Sequence, residues 1–243
     1  DKTYSFTINN LVKGSLKAKF TAYPNVVNDL LQGVEGILRE PYGCFEQTST
    51  TAYPNAMVLD YLKSTKSADK KTMDKAEALL DRGYKRLVSF ETKTKGYEWF
   101  GASPAHEGLT AYGIMEFVDM QKAGGKVSQE MIDRTKQWLM KRRNSKGGFN
   151  RNSYALHQFG AISDEVMNSY IVYALSEAGE KDIQKEFEET TKKAEQSQDD
   201  YLLALAANTA YNLGDKTKAT SLMAKLIKGQ QSDGSFTNAK HSI

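Results

Sequence analysis

Three glycine–aromatic turns recur along this chain of 243 residues and separate segments that have helical periodicity. The turns are Gly96-Tyr-Glu-Trp-Phe100, Gly147-Gly-Phe149 and Asp233-Gly-Ser-Phe236. The helical segments are predicted at 46–63, 69–90, 105–122, 128–143, 164–178, 181–196, 198–213 and 215–229. Helix pairs that recur with similar turns between them are typical of a repeat architecture, so this feature constrains the fold more than any other.

The helical segments alternate in composition. Segments 105–122, 164–178 and 198–213 are rich in Ala, Leu, Tyr and Gly, as helices surrounded by protein should be. Segments 69–90, 128–143, 181–196 and 215–229 carry Lys, Glu and Arg on one face, as helices at the surface should. Alternating inner and outer helices favour an α/α toroid over an open solenoid. The sequence therefore predicts an all-α fold, an α/α toroid of helix pairs.

Residues 1–22 differ from the rest of the chain. Apolar and polar residues alternate over 4–8 and 16–20, which predicts two short strands and hence a short N-terminal β segment. From Pro24 onward the pattern is helical, and Pro41 closes that first helical segment. The chain does not begin with Met, and its helices are fewer than a complete toroid needs. We therefore expect a fragment of a longer chain, truncated at its C-terminus.

Composition excludes several classes of function. The single cysteine, Cys44, excludes an internal disulfide and a CxxC zinc or redox site, and three scattered histidines argue against a metal centre. A formal charge of +3 gives no reason to expect nucleic-acid binding. No apolar run approaches the roughly 20 residues that a membrane-spanning helix needs.

The stretch Pro41-Tyr-Gly-Cys-Phe-Glu-Gln-Thr48 places a thiol three residues before a side-chain amide. Gly43 allows a tight turn, and the helix that starts just after Cys44 would favour a thiolate there. That thiolate could attack the carboxamide carbon of Gln47 and expel ammonia, leaving an internal thioester. Such a bond survives only where water is excluded, and Tyr42 and Phe45 are candidate shields. The plainer alternative is a buried cysteine at a helix start.

The same stretch resembles the thioester domain of the alpha-macroglobulin and complement family, whose signature is Gly-Cys-x-Glu-Gln after Pro-Tyr. The resemblance continues through Tyr53-Pro-Asn-Ala-Met-Val-Leu-Asp-Tyr-Leu62, Ala105-His-Glu-Gly-Leu-Thr-Ala-Tyr-Gly113 and the segment from Gly147 through His157 to Ala178. It covers about residues 24–243. Phe45 stands where the vertebrate members have glycine, which is more similar to the bacterial branch.

The resemblance implies a role for each motif residue. Cys44 and Gln47 would form the thioester, with Glu46 and Gly43 part of the motif. His157 matches the histidine that attacks the exposed thioester, after which the freed thiolate activates a hydroxyl; the alternative is a histidine that satisfies a buried hydrogen bond. His106 and Glu107 would lie near the thioester face or, equally, form a helix-start capping cluster.

The resemblance also implies a function and a setting. It assigns residues 1–22 to an adjoining CUB-like domain and residues 23–243 to an incomplete thioester domain. Within a larger chain of macroglobulin-type domains, this domain would covalently trap attacking proteases or surface nucleophiles once per thioester. It would work without turnover or a separate cofactor, outside the cytoplasm, in a bacterial periplasm or envelope or after secretion. Two alternatives stay open: a cysteine hydrolase using Cys44 and His157, with Asn168 or another polar side chain to orient the histidine, and a non-reactive docking toroid.

Overall fold

Eight helices make up most of the part of the chain that the structure describes, which is residues 3–5, 7–19, 33, 36–65, 70–152 and 162–239 of a computed structural model. The helices are α1 (Phe45–Thr65), α2 (Lys70–Val88), α3 (Glu107–Lys122), α4 (Gln129–Met140), α5 (Asp164–Glu177), α6 (Gln184–Ser197), α7 (Asp200–Leu213) and α8 (Lys216–Gly229). Each begins and ends within a few residues of a predicted segment.

Polar side chains at the helix starts explain these boundaries. Ser128, Ser163 and Asp215 cap α4, α5 and α8 by accepting a hydrogen bond from a backbone N–H in the first turn. Asp199 caps α7 through two such bonds, from the N–H groups of Tyr201 and Leu202. Each cap satisfies donors that a helix start leaves unpaired, so the chain turns into a helix where the sequence places an acceptor.

The helices form two layers, as the alternation in composition predicts. The inner helices α1, α3, α5 and α7 contact one another in that order, and each outer helix packs on the outside of its inner partners. Inner helix α3 buries residues all round its circumference, from Leu109 and Ile114 to Phe117. Outer helix α4 buries one face only, including Ile132 and Leu139. The predicted all-α toroid of helix pairs is confirmed.

The three glycine–aromatic turns share one hydrogen-bond frame. Thr92 N–H donates to Gly96 C=O, Asn144 N–H to Gly148 C=O and Gln231 N–H to Ser235 C=O, each at 2.8 Å. An isolated antiparallel bridge flanks each turn, at 91–97, 143–149 and 230–236. Each frame also needs one residue with a left-handed backbone, which is Lys95 (φ 77°), Gly147 (φ 76°) or Gly234 (φ 87°).

The turns lie at the end of the toroid where the inner helices begin. Trp99, two residues after the bridge residue Tyr97 of the first turn, accepts a hydrogen bond at its C=O from the N–H of Phe45, the first residue of α1 (2.9 Å). Asn238 bears the same relation to the third turn and accepts from Asp200 N–H, the first residue of α7 (3.4 Å). We refer to this end of the molecule as the turn face.

The N-terminal residues differ from their prediction. Among residues 3–5 and 7–19 no strand is formed, and the chain makes one turn in which Ser15 N–H donates to Val12 C=O (3.0 Å). These residues are exposed, and two short strands without a neighbouring sheet are only marginally stable. The first predicted helical segment lies largely outside the described residues, although Gly33, Gly36 and Ile37 are helical. The division between residues 1–22 and 23–243 stays a prediction.

Candidate functional site

Cys44 immediately precedes α1 and therefore occupies its N-cap position. Its C=O accepts the first helical bond, from Thr48 N–H (2.8 Å), and its own N–H donates to the side-chain carbonyl oxygen Oε1 of Gln47 (3.2 Å). A glutamine at the third helical position that accepts a bond from the N-cap N–H is one half of a capping box. Ordinary helix-capping chemistry thus brings the acyl group of Gln47 back onto the Cys44 residue.

Gly43 makes this arrangement possible because it has no side chain. Its backbone is left-handed (φ 81°), and a Cβ placed on it would lie 2.1 Å from Gln47 Oε1 and 2.7 Å from Gln47 Cβ. The Gln47 side chain therefore folds directly over Gly43, and any other residue there would push the amide away. The glycine before Cys44 is required both by the turn and by the close approach of Gln47.

Arg86, on outer helix α2, binds the turn that contains Gly43 and precedes α1. Its Nε donates to Gly43 C=O (3.0 Å) and to Thr48 Oγ1 (3.1 Å), and its Nη2 donates to the same Gly43 carbonyl. The guanidinium lies over the ring of Phe90, 5.7 Å from its centroid. The Thr48 hydroxyl in turn donates to Tyr42 C=O (3.1 Å), so the turn before α1 is fixed from both sides.

The two predicted shields, Tyr42 and Phe45, lie in different environments. Phe45 is completely buried in the core, where its ring contacts Tyr97 (centroids 5.4 Å apart) and Phe90 (6.2 Å). Tyr42 is 63% exposed. Phe45 therefore anchors the start of α1 to the core, while Tyr42 presents its ring to the surface beside the turn. A shielding role for either residue stays a prediction.

Glu46 is held by the loop that follows the first turn. Trp99 donates from its indole Nε1 to Glu46 Oε2 (3.1 Å), in addition to accepting the Phe45 N–H. The indole ring also contacts the ring of His106, with centroids 5.1 Å apart. Trp99 thus connects the start of α1 with the start of α3, and its place in a glycine–aromatic turn is the only signal of this role in the sequence.

His106 is the N-cap residue of α3. Its Nδ1 accepts a hydrogen bond from Leu109 N–H (3.2 Å), which requires the imidazole to be neutral at that nitrogen. Burial, together with the positive charge of Arg151, lowers the pKa of His106 to about 4. The capping cluster is therefore present, and the start of α3 also lies on the turn face beside the motif. A chemical role for His106 stays a prediction.

Glu107 is buried in the first turn of α3 and is fully paired. Arg142 Nε donates to its Oε1 (2.9 Å), and Asn152 N–H donates to its Oε2 (3.1 Å). Both donors come from the region of the second turn. Glu107 therefore ties that region to α3, which agrees with a capping cluster; its proposed place near the reaction site stays a prediction.

His157 lies outside the described residues. The described residues on either side of it are connected to each other, because Arg151 Nη1 donates to Ile162 C=O (2.8 Å) and to Asp164 Oδ1 (2.8 Å). Asn152, the last described residue before it, is fastened to Glu107. Asn168, the orienting group in the hydrolase alternative, accepts a hydrogen bond at Oδ1 from Phe149 N–H (3.0 Å).

A buried acid on α3 faces Ser49, two residues after the Cys44–Gln47 motif, and no sequence pattern predicts it. Glu116 of α3 is completely buried, and neither of its oxygens makes a hydrogen bond to the described residues. Burial raises its pKa to about 8; the facing Ser49 hydroxyl opposes this shift without reaching hydrogen-bond geometry, and the charge of Asp119 adds to it. Glu116 is therefore held as a neutral acid between α3 and α1 at pH 7.

Metal-binding clusters and membrane-spanning helices are both absent from the described part of the chain. No group of three or more His, Cys, Asp or Glu side chains there is arranged to hold a metal ion. None of the helices there has the length and apolar character to cross a membrane.

Comparison with known proteins gives a consistent family. The A-macroglobulin TED domain family matches residues 20–242. Thioester-containing protein 1 allele S3 of Anopheles gambiae is 27% identical over 183 residues, which is 73% of this chain and 14% of that protein. Alpha-2-macroglobulin-like protein 1 of Mus musculus is 29% identical over 178 residues, or 70% of this chain and 12% of that protein. The chain thus spans about an eighth of the length of these relatives.

Solved structures share the fold. The native conformation of alpha-2-macroglobulin from Escherichia coli matches with a TM-score of 0.63 at 20% identity, over 84% of this chain and 13% of that one. Salmonella alpha-2-macroglobulin reacted with methylamine also has a TM-score of 0.63, at 18% identity and the same coverage. At these identities the likeness extends to the fold alone, so the bacterial branch stays a prediction.

Proposed function

Because this chain belongs to the A-macroglobulin TED domain family, we propose that Cys44 and Gln47 form an internal thioester that acylates an incoming amine or hydroxyl once. The observation that supports it most is the bond from Cys44 N–H to Gln47 Oε1 (3.2 Å) across Gly43. Any helix start can form a capping box. Here the N-cap residue carries a thiol and the third helical residue carries an amide, so the capping box holds both reactants of thioester formation together.

Formation of the thioester and its cleavage by an amine would both proceed without a cofactor. The Cys44 sulfur attacks Gln47 Cδ, the new C–S bond forms, and the C–N bond breaks to release ammonia, which carries away the thiol proton. When an amine later attacks the same carbon, an amide forms, the C–S bond breaks, and the amine proton passes to the departing thiolate. The products are a modified Gln47 and a free Cys44 thiol, so each thioester reacts once.

His157 would determine which nucleophile is captured. A neutral imidazole near the thioester can take the acyl group first, and the freed Cys44 thiolate can then act as base for a hydroxyl. Two contacts of the flanking residues agree with this proposal: Asn152 N–H donates to Glu107 at the start of α3, and Arg151 Nη1 donates to Ile162 C=O. The role of His157 rests on the family pattern and on these neighbouring contacts.

In the whole protein the domain would act as a covalent trap. We propose that it is carried within a larger chain of macroglobulin-type domains, which protect the thioester until an attacking protease or a nearby surface is within reach. The relatives that it resembles are much longer than this chain, which agrees with such an arrangement. We place the protein outside the cytoplasm, in a bacterial envelope or secreted.

Isotope-labelled methylamine tests the proposed chemistry. Wild-type protein, prepared as the longest natural chain that contains residues 1–243, should take up one label, which peptide mapping should locate at Gln47, with one new thiol at Cys44. Cys44→Ala and Gln47→Glu should take up none. A hydrolase would retain turnover in Gln47→Glu, and a docking toroid would give no uptake in wild-type protein and no change on Cys44→Ala.

A further inference from the structure

One peptide unit beside the proposed thioester is bound at both ends. The Gly43 carbonyl accepts two hydrogen bonds from the Arg86 guanidinium, and the N–H of the same unit, which belongs to Cys44, donates to Gln47 Oε1. The orientation of a peptide plane is fixed when both of its polar groups are bound. The donor that faces the Gln47 oxygen is therefore fixed by a cation on another helix, forty-three residues away in sequence.

Negative charge develops on Oε1 of Gln47 whenever this carbonyl reacts. When a sulfur or nitrogen nucleophile adds to Cδ, the C=O electron pair moves onto Oε1; it returns when the C–N or C–S bond breaks. A preorganised N–H aimed at such an oxygen stabilises the transition state more than the ground state. The ground-state distance of 3.2 Å lies just beyond the 2.7–3.1 Å range of effective oxyanion donors, so a small contraction would bring it into that range.

Taking the Cys44–Gln47 thioester as given, we propose that the Cys44 backbone N–H is the oxyanion donor for its formation and cleavage. Arg86 is the positioning residue that orients and polarises this N–H through Gly43 C=O. Hydrogen bonds that share a peptide unit strengthen one another, so a cation on the carbonyl makes the opposite N–H a better donor. Arg86 does not touch the reacting atoms and acts only through the peptide.

Arginine is suited to this position for geometric reasons. Its Nε and Nη2 both reach Gly43 C=O, and Nε also reaches Thr48 Oγ1. Lysine has no fixed fork and could keep one such bond as a point charge. The neighbouring Arg82, one turn earlier on α2, provides a matched control, because it forms an exposed bidentate pair with Glu40 and is not involved in the turn.

The test compares Arg86→Met, Arg86→Lys and Arg82→Met with wild-type protein in the longest natural chain that contains these residues. Three quantities are measured for each: the intact mass, the rate constants for methylamine uptake and for spontaneous hydrolysis of the thioester, and the thermal unfolding midpoint. For Arg86→Met we expect both rate constants to fall roughly tenfold, a part of the effect of losing an oxyanion donor outright. Arg86→Lys should recover part of the loss, and Arg82→Met should match wild type.

Parallel slowing of uptake and hydrolysis is the result that a purely structural role does not give. If Arg86 only stiffened the turn, its loss would admit water and make hydrolysis faster; that result, or unchanged rate constants, overturns the inference and leaves the thioester standing. If Arg86→Met folds with the wild-type midpoint and keeps the mass of the unreacted sequence, with Gln47 still an amide, formation itself needs the donor, which supports the inference; a Gln47 side chain hydrolysed to glutamate would instead record faster hydrolysis and overturn it. If Arg86→Met does not fold, the inference is tested by whether both rate constants also fall in Arg86→Lys. Wild-type protein without a thioester overturns both this inference and the proposed function.

Discussion

The first and second glycine–aromatic turns have the same geometry and different surroundings. In both turns a backbone N–H donates to a side chain of the next inner helix: Tyr97 N–H donates to Thr110 Oγ1 (2.9 Å) and Phe149 N–H to Asn168 Oδ1 (3.0 Å). Trp99 of the first turn then binds the start of α1, which Cys44 immediately precedes, and Asn152, after the second turn, binds Glu107 at the start of α3.

The difference shows that the fold provides the same backbone arrangement at both helix starts, while the side chains there differ. The repeat supplies a turn and a helix start in each case, but at α1 the helix start is a capping box with a thiol and an amide. At α3 the equivalent place holds a neutral imidazole and a paired carboxylate. The proposed reactive motif thus occupies a position that recurs in the fold with other residues, and exchanging features between the two turns tests that view.

The largest effect is expected from the two glycines. Gly43→Ala would place a Cβ 2.1 Å from Gln47 Oε1, so methylamine uptake should fall to background. Gly147→Ala, in the second turn, meets Glu189 Cγ at 2.6 Å and has a similar left-handed backbone (φ 76°). It should cost about 1–2 kcal/mol of stability and leave the uptake rate unchanged. Equal uptake in both variants would show that Gly43 is only a turn residue.

A buried acid on α3 should make stability depend on pH. Thr110 of α3 and Asn168 of α5 accept equivalent hydrogen bonds from their turns. Counting from these two residues, Ala174 of α5 corresponds in position to Glu116 of α3. Between pH 4.5 and 8 the unfolded chain has lost the Glu116 proton and the folded chain retains it, so the free energy of unfolding should fall as pH rises. Glu116→Gln should remove this slope, which is worth on the order of 5 kcal/mol across the window. Urea denaturation at several pH values measures it, and parallel profiles would contradict the assignment.

The two helix caps should differ in acid. His106 must be neutral to cap α3, whereas Ser163 caps α5 with a hydroxyl that does not titrate. Below pH 6.5 the unfolded chain protonates His106 and the folded chain does not until about pH 4, so stability should fall by roughly 3 kcal/mol as pH drops across that range. His106→Asn keeps an acceptor at the cap and should remove that loss. Ser163→Ala should instead lower the free energy of unfolding by the same amount at every pH.

The smallest effect concerns the left-handed residue of each turn. Lys95 occupies in the first turn the position that Gly147 and Gly234 hold in the other two. Lys95→Gly should therefore raise the free energy of unfolding by roughly 0.5–1 kcal/mol, since glycine adopts this backbone without strain. Chemical denaturation measures the change, with Gly147→Lys as the opposite exchange. A loss of stability in Lys95→Gly would mean that the Lys95 side chain contributes more than its backbone costs.

The helices could be predicted from the sequence because each carries its own signals. Apolar periodicity gave the eight segments, and caps such as Ser128 and Asp199 set their starts. The layers also followed, since α3 and α5 are apolar all round and α4 and α6 are not. The alternation over 4–8 and 16–20 was a weaker guide, because a strand also needs a partner and the described residues there have none.

The candidate site could be predicted only in part. The motif from Gly43 to Gln47 is local, so its residues could be named from sequence. Arg86 could not, because a basic residue on an outer helix is ordinarily solvated, and its partner is a backbone carbonyl of a distant turn. Glu116 was missed for a similar reason: its burial depends on the packing of α1 against α3, which no local pattern records.

The most direct test of the central claim is the intact mass of the longest natural chain that contains these residues, freshly prepared and never exposed to amines. The Cys44–Gln47 thioester predicts a mass below that of the sequence by one ammonia, and the deficit should be absent from Cys44→Ala. A mass equal to that of the full sequence, with Cys44 free to react with a thiol reagent under native conditions, would contradict the account.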